Sequence, residues 1–132
     1  YTIDNGLVAA GGEAQSVLDK TLSNRVVEFE VGAATLTPAG RVILDEMYAA
    51  IKQIGTPKVQ VIGHTDSSGN RQANISLSLA RANTVRSYLI EKGIPADNLT
   101  AVGSGPDQPV GSNDSSEGRA KNRRIEFRLA SQ

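Results

Sequence analysis

The sequence predicts an α/β (α+β) sandwich in which a four-stranded mixed sheet has its helices packed on one face. Short stretches in which apolar and polar residues alternate indicate strands. Longer segments with apolar residues three and four positions apart indicate helices. The predicted order is β-α-β-α-β-β, which gives a layered domain, and 132 residues are enough for one domain with its own core.

We divide the chain into residues 1–24, a linker with a short helix, and residues 25–132, the globular domain. The short helix is predicted over residues 13–22, with Val17, Leu18 and Leu22 as its apolar contacts. Because the chain begins at Tyr1 rather than Met, we expect it to be part of a longer protein. No apolar run approaches the roughly 20 residues of a membrane-spanning helix, so we expect no membrane insertion by this segment.

Four segments have the alternation expected of strands. The first covers residues 25–31 (RVVEFEV) and the last covers residues 124–129 (RIEFRL), with residues 58–63 and 99–102 between them. The side chains predicted to face the core are Val27, Phe29 and Val31 in the first strand and Ile125, Phe127 and Leu129 in the last.

Two long helices are predicted between these strands. The first covers residues 38–54, with Thr37 as N-cap and Pro38 at the first helical position. Its buried stripe consists of Leu44, Met47, Ile51 and Ile54. The second covers about residues 75–92 and is closed by Gly93. Residues 103–118 are predicted to form a long polar loop.

Composition excludes several classes of function. Fourteen basic and fourteen acidic residues give a net charge of zero, so nucleic acid is not an expected partner. Cysteine is absent, which removes disulfides, thiolate metal sites and cysteine nucleophiles. His64 is the only histidine, and no second ligand at suitable spacing supports a metal site. We therefore predict no metal and no cofactor.

The strongest functional signal is a pair of opposite charges, Asp66 and Arg81. Asp66 follows the second predicted strand, and Arg81 lies on the apolar side of the second long helix with Leu77 and Val85. A guanidinium there must reach the rim or find an anion. Two interpretations remain open: a structural salt bridge, which could involve Asp66 itself, or a site for a zwitterion whose ammonium binds Asp66 and whose carboxylate binds Arg81.

A second polar cluster lies where the last strand begins, at Asn122, Arg123 and Arg124. It is either an exposed strand end or a part of the site. Because successive residues of a strand point to opposite faces, the sequence leaves open which arginine points toward a ligand.

Three motifs give the chain a family resemblance. They are HTD at residues 64–66, N-x-x-L-S-x-x-R-A at residues 74–82 and G-R-A-x-N-R-R at residues 118–124. With this order and spacing, residues 25–129 resemble the OmpA-like peptidoglycan-binding domain of outer-membrane porin tails, peptidoglycan-associated lipoproteins and MotB-type stator proteins.

The resemblance implies noncovalent binding, without catalysis, of the diaminopimelate residue of the peptidoglycan stem peptide. It would anchor a parent outer-membrane or envelope protein to the cell wall, in the periplasm. The residues that match the family's ligand positions are Asp66 and Arg81 as the principal pair, with Thr65, Asn74, Leu77, Arg123 and Arg124 around them. In this chain residues 32–34 (GAA) add only backbone donors and acceptors to that groove.

Two other functions compete with this one. A cell-wall hydrolase would use Asp66 and His64, although no second carboxylate or nucleophile and base are evident beside them. A protein-interaction module of an envelope assembly would dock a partner on residues 103–118.

Overall fold

The chain folds into four α-helices and three strands in a computed structural model that describes residues 13–23 and 25–130. In chain order the elements are α1 Glu13–Leu22, α2 Pro38–Gln53, β1 Val59–His64, α3 Arg71–Lys92, a 3-10 turn Ala96–Asn98, β2 Leu99–Gly105, α4 Ser116–Asn122 and β3 Arg124–Leu129. Residues 1–12 of the predicted linker lie outside the described residues.

The strands form one mixed sheet in the order β2-β1-β3. The central strand β1 runs parallel to β2 and antiparallel to β3. A mixed sheet with helices was predicted, and this is confirmed. The prediction of four strands is wrong, because the described residues form a three-stranded sheet.

Residues 25–31 were predicted as the first strand, and only part of that prediction is right. Val27 is buried and Phe29 packs against the core, as the alternation indicates. The backbone makes local bonds instead of joining the sheet: Phe29 forms an isolated bridge with Leu36, and the Glu30 amide donates to the Thr35 carbonyl at 2.8 Å. Val31 is fully exposed rather than buried, because the chain turns before it reaches the core.

Helix α2 begins as predicted, with Pro38 in its first turn and the Thr37 hydroxyl accepting a hydrogen bond from the Gly40 amide at 3.0 Å. Helix α3 begins four residues earlier than the predicted start at Ile75. The Asn70 side chain accepts from the Ala73 amide at 2.8 Å and caps the helix there. Asparagine is a strong N-cap residue, so the start signal was present in the sequence.

The predicted loop over residues 103–118 is shorter than expected at both ends. Strand β2 continues to Gly105, and α4 begins at Ser116. The Ser115 hydroxyl caps α4 by accepting from the Gly118 amide at 3.0 Å. This helix escaped prediction because it has only seven residues and buries Gly118 and Asn122 rather than an apolar stripe.

Helix α1, predicted correctly, packs against the same core as the rest of the domain. Leu18 is completely buried, and Val17 and Leu22 pack beside it. Gln15 covers the free edge of β3, since its amide group donates to the Phe127 carbonyl at 2.9 Å and accepts from the Leu129 amide at 2.9 Å. These hydrogen bonds satisfy backbone groups of the edge strand that could otherwise pair with a strand of another molecule.

Two glycines opposite each other in the sheet bring α3 close to it. Gly63 of β1 is paired with Gly103 of β2. A β-carbon at Gly63 would lie 2.2 Å from the Ser78 carbonyl oxygen, and one at Gly103 would lie 2.7 Å from the Leu79 backbone nitrogen. Only glycine permits this approach, which sets α3 directly over the carboxyl end of β1.

Candidate functional site

Asp66 and Arg81 come from neighbouring elements. Every residue from Val61 through Asp66 is buried, so Asp66 follows directly after the buried end of strand β1. Ser78 of α3 lies over Gly63, and Arg81 follows Ser78 by three residues, slightly less than one helical turn. The close approach of α3 to the sheet therefore determines where the Arg81 side chain begins.

The Asp66 carboxylate is bound on both oxygens. Oδ1 accepts from the Ser68 amide at 2.8 Å, and Oδ2 accepts from Arg123 Nη1 at 2.6 Å. Burial raises the pKa of Asp66, but the hydrogen bonds from Ser68 and Arg123 outweigh it, so the pKa lies below 3.8. Asp66 is therefore a carboxylate at neutral pH.

Thr65 and Asn74 support the loop that carries Asp66. The Thr65 hydroxyl donates to the Asp66 carbonyl at 2.8 Å. Asn74 Nδ2 donates to the Ser68 carbonyl at 2.7 Å and is 3.4 Å from the Asp66 carbonyl. Both predicted site residues thus hold the backbone of residues 66–68.

Arg81 has an unusual environment for a cation. Its Nε donates to the Ala33 carbonyl at 2.8 Å, and its guanidinium lies 5.0 Å from the centre of the Phe29 ring. Within residues 13–23 and 25–130 no carboxylate forms an ion pair with it. Burial, and then the positive charge of Arg123, lower the pKa of Arg81. A structural salt bridge between Arg81 and Asp66 is therefore not what forms; Asp66 pairs with Arg123.

A cavity of about 680 Å³ opens beside these groups. Its walls come from the segment after α1, the end of β1, helices α3 and α4, and the start of β3. The lining residues are Val26, Val27, Glu28, Phe29, Val31, Gly32, Gly63, His64, Ser78, Arg81, Ala120, Arg123, Arg124 and Ile125. Of the predicted site residues, Arg81, Arg123 and Arg124 line this cavity. Asp66 is not in the lining but forms an ion pair with Arg123. Leu77 is half-buried and lies outside the lining.

The two neighbouring arginines have different environments. Arg123 is 47% exposed and binds Asp66. Arg124 is 17% exposed, donates from Nη2 to the Gln108 carbonyl at 3.1 Å, and lies 3.8 Å from Glu126. Burial lowers the pKa of Arg124. Arg123 is therefore the arginine that pairs with Asp66, whereas Arg124 contacts Gln108 and Glu126.

His64 contacts Glu126 and not Asp66, the carboxylate with which it would act in a hydrolase. It is buried, and its Nε2 lies 3.0 Å from Glu126 Oε1. Burial lowers the pKa of His64, as does the charge of Arg124, while Glu126 acts in the opposite direction. His64 thus pairs with Glu126 rather than with Asp66.

Asn122 organises the segment after β2. It is completely buried; its Oδ1 accepts from the Val110 and Gly111 amides, and its Nδ2 donates to the Gly111 carbonyl and to Asn113 Oδ1. Asn113 Oδ1 also accepts from the Ser67 amide at 3.2 Å. Asn122 therefore fixes the backbone of residues 110–113 beside the site. The Ala33 carbonyl that binds Arg81 is one of the backbone acceptors expected from residues 32–34. Sequence reasoning missed Phe29 and Asn113 as contributors, because neither belongs to a pattern that marks a binding residue.

Within the part of the chain that the structure describes, no group of three or more potential ligands among His, Cys, Asp and Glu is placed to hold a metal ion. No described helix has the length and apolar character needed to cross a bilayer.

A sequence model of the OmpA family matches residues 28–123. The chain belongs to the OmpA family. The match includes Phe29, which stacks on Arg81, strand β1, which leads to Asp66, and Arg123, which binds Asp66.

Curated relatives support the assignment. The chain is 41% identical over 104 residues to "Probable lipoprotein YiaD" of Escherichia coli (strain K12), covering 79% of this chain and 48% of that protein. It is 39% identical over 101 residues to "Peptidoglycan-binding protein ArfA" of Mycobacterium tuberculosis (strain ATCC 25618 / H37Rv), covering 76% of this chain and 31% of that protein. The chain thus spans half or less of the length of these two relatives.

Solved structures share the fold. The cell wall anchor of the T6SS from Pseudomonas aeruginosa superposes with a TM-score of 0.70 at 30% identity, covering 79% of this chain and 75% of that one. The peptidoglycan-associated lipoprotein from Burkholderia pseudomallei has a TM-score of 0.72 at 24% identity, covering 83% and 93% of the two chains, which shows the shared fold.

Proposed function

We propose that this chain binds peptidoglycan noncovalently through the diaminopimelate residue of the stem peptide. In this role it anchors a longer envelope protein to the cell wall from the periplasm. Membership of the OmpA family supports the general function, as does the likeness to a relative named as peptidoglycan-binding. The finer assignment rests on the chemistry of the cleft.

The observation that carries the proposal is the state of Arg81. Its Nε is held by the Ala33 carbonyl and one face of its guanidinium is covered by Phe29, so its orientation is set before a ligand arrives. Its charge is half-buried and is not neutralised by an ion pair with any described residue. A guanidinium of this kind is suited to bidentate binding of a carboxylate.

Asp66 supplies the opposite charge. Its lowered pKa keeps it ionised, and Oδ1 is oriented by the Ser68 amide. The ammonium group of a ligand would bind the same carboxylate that now accepts from Arg123. A carboxylate has about four lone-pair positions, so it can accept from both groups together. The free end of diaminopimelate carries an ammonium and a carboxylate on one carbon, which matches this pair.

The same pairing explains how the site would distinguish diaminopimelate from lysine. A lysine side chain offers an ammonium but no carboxylate, so Arg81 would lose its partner while it stays partly desolvated. Leaving a partly buried charge unpaired costs roughly 3 kcal/mol in comparable sites. That difference is large enough to exclude the lysine peptide at concentrations that fill the site with the diaminopimelate peptide.

Binding in this proposal involves no catalysis. A hydrolase would need a nucleophile or a second carboxylate next to Asp66. His64, the candidate base, is turned to Glu126. The segment proposed for partner docking is tied to the domain through Asn122 and Asn113, and no observation favours it over the cleft.

Cosedimentation with purified sacculi from a diaminopimelate-containing wall tests the proposal. We expect the wild-type protein to pellet with sacculi, and Arg81→Ala and Asp66→Ala to remain in the supernatant. Arg71→Ala is the matched control, because Arg71 lies on the same helix and its ion pair with Asp107 is exposed; it should pellet like the wild type.

Circular dichroism of each variant separates lost binding from lost folding. Folded Arg81→Ala or Asp66→Ala protein that still pellets with sacculi would contradict the proposal. Release of soluble wall fragments by the wild type would instead favour a hydrolase.

A further inference from the structure

The cleft contains more positive charge than a single zwitterion can balance. Arg81 and Arg123 both line the cavity, and the charge of Arg123 is near enough to lower the pKa of Arg81. Asp66 neutralises Arg123 in the free protein. Glu28 also lines the cavity, but it is exposed and its carboxylate lies 3.5 Å from the Thr37 hydroxyl rather than in an ion pair with either arginine.

Binding of diaminopimelate, on which this inference rests, changes that balance. The ligand carboxylate neutralises Arg81, and the ligand ammonium takes a share of Asp66. Arg123 then shares its only ion-pair partner among the described residues with a second cation. A zwitterion adds no net charge, so the excess charge at Arg123 remains.

Arg123 can contact a further group on the ligand in addition to Asp66. Its side chain is 47% exposed, so it can move without disturbing the core. The neighbouring Arg124 also lines the cavity, but it is 17% exposed and already contacts the Gln108 carbonyl and Glu126, so its guanidinium has less freedom to move. The cavity of about 680 Å³ is also several times larger than an amino-acid headgroup, which leaves room for an adjoining part of the peptide.

We propose that Arg123 binds a second carboxylate of the same stem peptide, so that the cleft recognises a dianionic segment rather than an isolated zwitterion. Two carboxylates adjoin the diaminopimelate headgroup. One is the α-carboxylate of the γ-linked glutamate that precedes it, and the other is the main-chain carboxylate of diaminopimelate in a stem that ends there. Amidation of either group removes its charge with little change in shape.

Calorimetric titration with three peptides tests the proposal and distinguishes the two sources. The peptides are the tripeptide Ala-γ-Glu-diaminopimelate, the same peptide amidated at glutamate, and the same peptide amidated at the main-chain carboxyl of diaminopimelate. We expect one of the two amides to bind the wild type about tenfold more weakly than the parent, as for the loss of one charge-assisted hydrogen bond. The amide that loses affinity identifies the source.

Arg123→Gln should bind the parent peptide and both amides with equal affinity. Lys121→Gln is the matched control, because it removes the same charge from an exposed position of α4 outside the cavity lining, and it should keep the wild-type preference. Equal wild-type affinity for all three peptides would overturn the inference and leave the proposed function standing. A preference that persists in Arg123→Gln would also overturn it. Absence of binding to every peptide would overturn both proposals.

Discussion

At the scale of single residues, Arg81 is a cation in surroundings that disfavour its charge. Burial and the nearby charge of Arg123 both disfavour the cation, yet a guanidinium does not lose its proton at neutral pH. In the proposed function, the carboxylate of the ligand would relieve this unfavourable electrostatic energy. The fixed Nε bond to Ala33 would reduce the entropy lost when that carboxylate binds.

The sequence predicts part of this site. An arginine on an apolar helix stripe and an aspartate at a strand end mark Arg81 and Asp66 as candidates, and the structure places Arg81 in the cavity lining and Asp66 next to it through Arg123. The partner of Asp66 could not be predicted, because it depends on α4, a helix without an apolar stripe. The Phe29 stack on Arg81 depends on how residues 25–31 cross the core, which alternation does not specify.

His64 gives a pH prediction that is independent of ligand binding. Burial first, and then the charge of Arg124, lower its pKa below 6.5 against the effect of Glu126. The unfolded chain therefore takes up a proton near pH 6.5 before the folded chain does, so stability is complete above that pH and falls as the pH is lowered toward the folded pKa. We expect the free energy of unfolding, measured in urea, to decrease between pH 7.5 and 5.5 by at most about 1.4 kcal/mol per pH unit.

His64→Gln removes the only histidine and should flatten that dependence. The carboxyl groups of Asp66 and Glu126 do not interfere, because their pKa values lie below 3.8 and 4.5. The same slope in the variant and the wild type would show that His64 is not the titrating group.

At the scale of elements, the contact of α3 with the sheet links stability to the site. The paired glycines Gly63 and Gly103 leave no space for a β-carbon beneath the backbone of α3. Since α3 carries Arg81 and β1 leads to Asp66, any displacement of α3 changes the distance between these two charges.

Gly63→Ala should lower both stability and binding. The added β-carbon would lie 2.2 Å from the Ser78 carbonyl oxygen, so α3 must move outward. We expect a loss of about 2 kcal/mol in the free energy of unfolding, typical of an overpacked core, and weaker binding of the diaminopimelate peptide by the folded fraction. Ser76→Ala, at an exposed position of the same helix, is the control. A Gly63→Ala protein with wild-type stability would show that α3 does not pack as closely as described.

The elements also show which sequence signals suffice for prediction. Helix α2 and strand β3 follow from caps and periodicity, because both bury a regular apolar face. Residues 25–31 have a strand pattern, but alternation reports which side chains are buried and not which backbone groups pair. The local bonds to residues 35–37 replace a place in the sheet.

At the scale of the whole molecule, a net charge of zero means that long-range attraction does not bring this chain to an anionic polymer. Recognition must come from the local charges of the cleft. One small headgroup in an open cleft gives modest affinity, so retention at the wall would depend on many copies that meet a lattice of identical stem peptides.

The central claim is that Arg81 and Asp66 recognise the free end of diaminopimelate. Calorimetric titration of the wild type with a diaminopimelate-containing stem peptide and with its lysine counterpart tests this most directly, with Arg81→Ala titrated in parallel. We predict that the wild type binds the diaminopimelate peptide at least tenfold more tightly than the lysine peptide, and that Arg81→Ala loses this preference. Equal affinity of the wild type for the two peptides, or a preference that survives in Arg81→Ala, would contradict the account.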